Sequence, residues 1–195
     1  MGWYTQPPVY NDHFFTTNWF VNWVQLRPIL KQLLETEPRW KQILDFGCGP
    51  GVMIDYMGEA GYLYLGVDPM EEPKALYQQH FGRFPERYRS SIPCSIPFDL
   101  CLSFDVLEHL SDLEISTFLA QVKQTPDLLV NISREKWIPG HINLKSDEQW
   151  IAFFAKQGFS FDRHTTTRLR AEYLNLRPQG EDKWHQNLFL FHPFV

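Results

Sequence analysis

A glycine-rich turn and a carboxylate that follows it are spaced to hold a nucleoside. Ile43-Leu44-Asp45-Phe46-Gly47-Cys48-Gly49-Pro50-Gly51 reads as a buried strand running straight into the turn. A second short strand, Tyr62-Leu63-Tyr64-Leu65-Gly66-Val67, ends in Asp68. Glycines let the backbone approach a ligand closely, and an acid about 20 residues on, at the tip of the next strand, accepts from ribose hydroxyls. A dinucleotide fingerprint needs Gly-x-Gly-x-x-Gly, and Val52 occupies its last place. The Gly-Lys-Ser/Thr of a P-loop is absent. The spacing here is Gly-x-Gly-x-Gly.

The elements that must position these residues alternate along the chain. Residues 1 to about 17 are rich in proline and aromatics and irregular. Residues 18 to 35 carry apolar side chains at helical spacing, and Pro28 should kink or split that helix. Strands are expected near 42–46, 62–67, 86–90, 98–103 and 127–132. Helices are expected over 51–60, 71–80, 111–123 (capped by Ser111 or Asp112) and 147–157 (capped by Ser146 and ended by Gly158). Phe159 to Thr167 and Asn187 to Phe191 read as two closing strands with no helix between them. Alternation implies a parallel sheet with helices on both faces, and the closing pair suggests an antiparallel strand at one edge.

Composition narrows the class. A chain of 195 residues that is 44% hydrophobic suits one soluble domain with a real core. The formal charge of −5 lacks the basic face of a nucleic-acid binder, so polyanionic substrates are disfavoured. Aromatics make up 16% of residues, which fits either core filling or an aromatic-lined pocket. Cys48, Cys94 and Cys101 have neither zinc-ligand nor disulfide spacing and read as reduced thiols of a cytoplasmic protein. No apolar run reaches membrane-span length, and the first residues lack the basic-then-apolar pattern expected of a signal peptide. Gln6 argues against myristoylation, and Asn131-Ile132-Ser133 is a chance sequon.

The segment Asp45 to Gly51 resembles motif I of the class I S-adenosylmethionine-dependent methyltransferases, and Leu65-Gly66-Val67-Asp68-Pro69 resembles their motif II. Phe98 to Leu110, with His141-Ile142-Asn143-Leu144 and Gly158-Phe159, is similar to the small-molecule branch that includes quinone-biosynthesis enzymes. The likeness covers roughly residues 40 to 195. It implies a single-domain, Rossmann-like α/β fold: a seven-stranded, mostly parallel sheet with an antiparallel last strand. Residues 1–39 would be an arm and helix on the acceptor side, and 40–195 the core. It also implies the cofactor S-adenosyl-L-methionine and a small-molecule acceptor, methylated at oxygen, nitrogen or carbon. Gly47, Cys48, Gly49 and Gly51 would line the cofactor, with Asp45 near its amino group and Asp68 on the ribose. Pro69 and Met70 would pack on the adenine. Many relatives place an acid after the third strand to meet the adenine amine; here that stretch is Ser90 to Ser95, so Ser91 or a backbone carbonyl would serve. Ser103, Phe104 and Asp105 would lie near the methionyl group.

Methyl transfer from a sulfonium needs alignment, exclusion of water and, for a poorly ionised acceptor, a base. His141, in a loop at the carboxyl edge of the sheet, is a candidate for that base; the alternative is a histidine bonding loop backbone. Asp105 is a site candidate by position or else a cap on the next turn. His109 reads as structural. Glu108 beside it is weak evidence for a pair, because sequence neighbours do not face each other on a helix. The arm brings Tyr4, Tyr10, Phe14, Phe15 and Trp19, as lid or as staple, and His13, which would touch the acceptor or be a solvated surface histidine. Arg163, Arg168, Arg170 and Arg177, with Tyr173, would receive an anionic acceptor or form a solvated face. No carboxylate cluster suggests a catalytic divalent metal. Absent Asp/Asn-Pro-Pro-Tyr and Pro-Cys motifs at strand four argue against base-amine and cytosine C5 methylation. The rivals are a non-catalytic protein that binds the cofactor or its product, and a nucleotide-dependent oxidoreductase, against which Val52 speaks.

Overall fold

The computed structural model describes residues 18–93, 96–177 and 184–194, with backbone alone for 18–22. The expectations for Tyr4, Tyr10, His13, Phe14, Phe15, Cys94 and the Trp19 side chain lie outside the described residues. Seven strands form one mixed sheet in the order β3-β2-β1-β4-β5-β7-β6. The chain divides into two compact units, Met1–Ile96 and Pro97–Val195.

In the first unit, α1 is Asn18–Glu35. It buries Trp23, Leu26, Leu30, Leu33 and Leu34, the stripe that helical periodicity marks. Pro28 lies inside α1 without splitting it. A proline cannot donate to the carbonyl four residues back, and here the Arg27 Nε donates to that carbonyl, Val24 O, at 3.3 Å. Three parallel strands follow: β1 (Gln42–Phe46), β2 (Leu63–Val67) and the short β3 (Tyr88–Arg89). Between them run α2 (Val52–Glu59) and α3 (Glu71–His80). The register pairs Asp45 with Gly66 and Phe46 with Val67. It therefore brings the turn after β1 and the acid after β2 to the same end of the sheet.

The second unit contains β4 (Leu100–Phe104), α4 (Asp112–Gln121), β5 (Asp127–Asn131), α5 (Asp147–Lys156), β6 (Phe159–Phe161), α6 (Arg163–Leu176) and β7 (Leu188–Pro193). β4 and β5 are parallel, whereas β7 runs antiparallel to both β5 and β6. Ser111 and Ser146 each cap a helix through a reciprocal box, with Glu114 and Gln149 respectively. Every residue of β5 is buried. Phe154 stacks on Phe191 with ring centroids 4.1 Å apart, and Trp150, Phe159 and Phe189 extend that core.

One expected element is wrong. The stretch read as strand through Thr167 is β6 for three residues and then the helix α6, so the two closing strands do have a helix between them. The three β-branched threonines suggest strand by propensity. Asp162 overrides them by accepting from Thr165 N at 2.9 Å, an N-cap that starts the helix. Thr166, Leu169 and Tyr173 then bury one helical face, and Thr166 Oγ1 accepts the Leu190 N–H of β7. Among the described residues, no helix is long and apolar enough to cross a membrane.

Candidate active site

The expected cofactor residues of the first unit lie at the carboxyl ends of β1 and β2 and in the adjoining loops. Gly47, Gly49 and Gly51 all have positive φ, at 77°, 51° and 64°. At Gly51 a side chain would be strained by the backbone, and its Cβ would lie 2.8 Å from both Ile54 Cδ1 and Tyr77 Cδ2. Gly47 and Cys48 donate backbone N–H bonds to Val67 O at 2.8 and 3.2 Å, folding the turn over the end of β2. Gly66 makes room for it: a Cβ there would meet Cys48 Sγ at 2.7 Å. Tyr88 Oη donates to Gly49 O at 2.9 Å.

Asp68 is nearly buried, and both carboxylate oxygens accept backbone bonds: Oδ2 from Gly49 N at 3.1 Å and Oδ1 from Met70 N at 3.0 Å. Burial pushes its carboxyl up to about 6, against the pull of those two amides. Asp45 accepts from Tyr64 Oη at 2.8 Å through Oδ2. Burial pushes it up to about 7; the Tyr64 bond opposes the rise, and the Asp68 charge adds to it. Burial likewise raises the Cys48 thiol. Pro69 and Met70 are half-buried, and Ser91 is exposed in the bend after β3.

The second unit carries the other candidates, beyond the carboxyl end of β4. Ser103 is fully buried and its hydroxyl has no partner. Phe104 meets the Trp184 ring edge-on at 5.3 Å. Asp105 has φ 54°, the single non-glycine residue with positive φ among the described residues. Such strain is held only where the surroundings insist on it. Its amide donates to Asn131 O, and Trp184 Nε1 donates to its Oδ2 at 3.3 Å. Burial raises Asp105 to about 7, the Trp184 bond pulls against this, and the Glu135 charge adds to it.

Glu108 and His109, in a single 3-10 turn (Leu107–His109), converge with His141 although they adjoin in sequence. Glu108 is wholly buried; its Oε1 accepts from Ser133 N at 2.9 Å and lies 4.0 Å from His141 Nε2. Its Oε2 and His141 Nδ1 are buried, with no hydrogen-bond partner for either atom among the described residues. The Glu108 carbonyl accepts from both Ile142 N and Asn143 N, and His109 Nδ1 lies 2.9 Å from Gly140 O. These bonds pin the loop that holds His141. The two imidazoles pack edge-on at 4.6 Å. Burial lifts Glu108 well above the usual range, lowers His141 and lowers His109 to about 4. Potential ligand atoms of the three residues lie within 4.8 Å of one another, close enough to hold a cation.

Sequence reasoning named Asp45, Asp68, Asp105 and His141, and each is buried or half-buried at a strand end or in an adjoining loop. It undervalued Glu108, a carboxylate inside an apolar run, and missed Tyr64 and Trp184, the donors that hold Asp45 and Asp105. A hydroxyl amid the apolar residues of β2 was the available signal for Tyr64. The arginines read as loop lie on or just beyond α6: Arg170 donates twice to Leu188 O, and Arg177 donates to Tyr173 Oη at 3.3 Å.

The model of the methyltransferase domain family matches residues 21–164. An uncharacterized methyltransferase of Mycolicibacterium vanbaalenii is 27% identical over 157 residues, 77% of this chain and 56% of that protein. The human mitochondrial ubiquinone biosynthesis O-methyltransferase is 33% identical over 89 residues, 40% of this chain and 24% of that protein. The chain thus spans between a quarter and somewhat over half of the length of these curated relatives. A SAM-bound amino pentose methyltransferase from Micromonospora echinaspora shares the fold, with TM-score 0.63, 13% identity, and coverage of 96% of this chain and 99% of that one. The family model spans well over half of the residues, and the chain belongs to the methyltransferase domain family.

Proposed function

We propose that this chain transfers a methyl group from S-adenosylmethionine to a small-molecule acceptor. The observation that carries the reading is Asp68: a nearly buried carboxylate held by the amides of Gly49 and Met70 beside a turn of three positive-φ glycines. Each oxygen uses one lone pair on a backbone N–H and keeps another for a hydroxyl. That donor set fits a ribose diol, and the side-chain-free turn fits the chain attached to it. Gly47, Cys48, Gly49 and Gly51 supply the backbone of the cradle. Asp45 meets the amino group, and Pro69 and Met70 flank the adenine with Ser91 at its edge. When bound, S-adenosylmethionine supplies an electrophilic methyl on a sulfonium.

The remaining work belongs to the second unit. Ser103 and Phe104 bound the methionyl side, and Asp105 and His141 orient the acceptor or take its proton. Burial keeps the His141 imidazole neutral near pH 7, the form that can accept a proton. The names of a ubiquinone biosynthesis O-methyltransferase and an amino pentose methyltransferase among the similar proteins support a small acceptor and leave the methylated atom open.

Titration calorimetry with S-adenosylhomocysteine tests the cofactor, and mass spectrometry of a panel of phenols and amines incubated with S-adenosylmethionine tests transfer. Binding with a product of added methyl mass is the expected result. No binding by the native chain overturns the reading. Tight binding with no product across the panel favours a non-catalytic binder.

A further inference from the structure

We propose that Tyr64 is a positioning residue of the cofactor site: its hydroxyl fixes the Asp45 carboxylate with Oδ1 presented to the ammonium of the bound amino acid. This rests on the cofactor reading above and assigns a part to a residue outside the glycine turn and the ribose acid.

The geometry begins with register. Parallel pairing sets Ile43 opposite Tyr64 and Asp45 opposite Gly66. Paired residues of parallel strands share a face, so Tyr64 and Asp45 lie on the same face of the sheet, and the Tyr64 ring is 1% exposed. Tyr64 Oη donates to Asp45 Oδ2 at 2.8 Å, and among the described residues this is the bond that the Asp45 side chain makes. Its Oδ1 is left to accept from elsewhere. A tyrosine in a buried strand is ordinarily a space-filler whose hydroxyl finds a backbone carbonyl. Here the hydroxyl caps one oxygen of a buried acid at the mouth of the glycine turn.

The electrostatics follow from that bond. The ionisable groups that act on Asp45 from within its unit are Tyr64, by hydrogen bond, and Asp68, by charge; Cys48 feels both acids. A second acid and burial both favour the neutral carboxyl, and the tyrosine hydroxyl favours the ionised form. An ammonium ligand needs the ionised form. Tyr64 therefore sets the pH above which the amino-acid end of the cofactor is held. A nucleoside without that end should not sense it.

Two ligands and two variants separate this from a role in packing. S-adenosylhomocysteine carries the amino acid; 5′-methylthioadenosine keeps the nucleoside and lacks it. Calorimetric affinities for both are measured from about pH 6 to 8 on the native chain, Tyr64→Phe and Asp45→Asn. Loss of a hydrogen bond to a charged group predicts that Tyr64→Phe weakens S-adenosylhomocysteine about tenfold near pH 6.5, with recovery toward pH 8. Tyr64→Phe leaves methylthioadenosine affinity the same, and Asp45→Asn removes the pH dependence that S-adenosylhomocysteine shows beyond that of methylthioadenosine. Equal weakening of both ligands by Tyr64→Phe, or no shift for either, overturns the proposal while leaving the cofactor reading intact. Failure of the native chain to bind S-adenosylhomocysteine overturns both.

Discussion

Replacing Asp68 with asparagine should separate binding from folding. Burial raises this carboxyl from its ordinary value near 4 to about 6, which corresponds to about 3 kcal/mol against the ionised form. An acid whose pKa rises on folding stabilises the fold below its unfolded value, and that contribution is lost as the pH climbs through about 6. At pH 7.5 the native chain therefore carries the cost of an ionised, nearly buried Asp68, and asparagine does not. Against this relief stands the geometry at Gly49 and Met70. One amide oxygen can accept from one of the two N–H groups, and the NH2 group confronts the other. The lost bond costs about 1–3 kcal/mol. The two effects offset, so the unfolding free energy should change by less than about 2 kcal/mol. The ribose has no such compensation. Two hydroxyls lose a charged acceptor, which is worth about 1.5–3 kcal/mol, or roughly 10- to 100-fold in Kd. Calorimetry with S-adenosylhomocysteine and urea unfolding at the same pH measure the two quantities. An unchanged Kd would refute the ribose assignment. A Kd that worsens only in step with loss of fold would refute the claim that the two roles are separable.

Gly51→Ala combines a left-handed backbone with contacts of 2.8 Å to Ile54 and Tyr77 and should destabilise by about 3 kcal/mol, read as a lower urea midpoint; an unchanged midpoint would mean that the turn relaxes freely. His192 lies between Asp127 (2.8 Å) and Asp162 (3.2 Å), and although burial opposes it, these partners raise its pKa. Its contribution to stability should be fully present below about pH 6.5 and lost as the pH rises through the raised value. His192→Gln should flatten that part of a stability profile, and an identical slope in both proteins would count against the ion pairs. Leu169→Ala, in the fully buried face of α6, should cost about 2–5 kcal/mol by thermal or urea unfolding, whereas a loss under 1 kcal/mol would deny that this helix is packed as described.

Chemistry that is local in sequence was legible before any coordinates. The strand, glycine turn and second-strand acid are contiguous or nearly so, and parallel register alone then sets Asp68 beside Gly49. The serine boxes that start α4 and α5 are equally local. What the sequence hid depends on partners far along the chain. Tyr64 and Asp45 meet across 19 positions, through the pairing of β1 with β2. Glu108 looked like half of a poor pair because attention fell on its neighbour His109, whereas the partners that matter are Ser133 and the loop of His141. Trp184 reaches Asp105 across 79 positions, and no local pattern announces that. α6 was lost to the propensity of three threonines, a weak preference that one capping aspartate and a buried face overrule.

Four acids tie these findings together. Asp45 and Asp68 in the first unit, and Asp105 and Glu108 in the second, are all raised by burial. What acts on them besides burial is hydrogen bonds and other acids. A carboxylate kept for stability ordinarily has its pKa lowered by hydrogen bonds or a cation; Asp162 shows that case in the same chain, brought down to about 2, against burial, by its Thr165 bonds and then by His192. The contrary condition of the four acids costs folding free energy for each of them that is ionised at neutral pH. A ligand that brings positive charge would repay it. S-adenosylmethionine carries two such charges, an ammonium and a sulfonium, and the acids of the first unit stand where the glycine turn would admit it. This is why the raised carboxyls favour a charged nucleoside over a neutral one, independently of any likeness to other proteins.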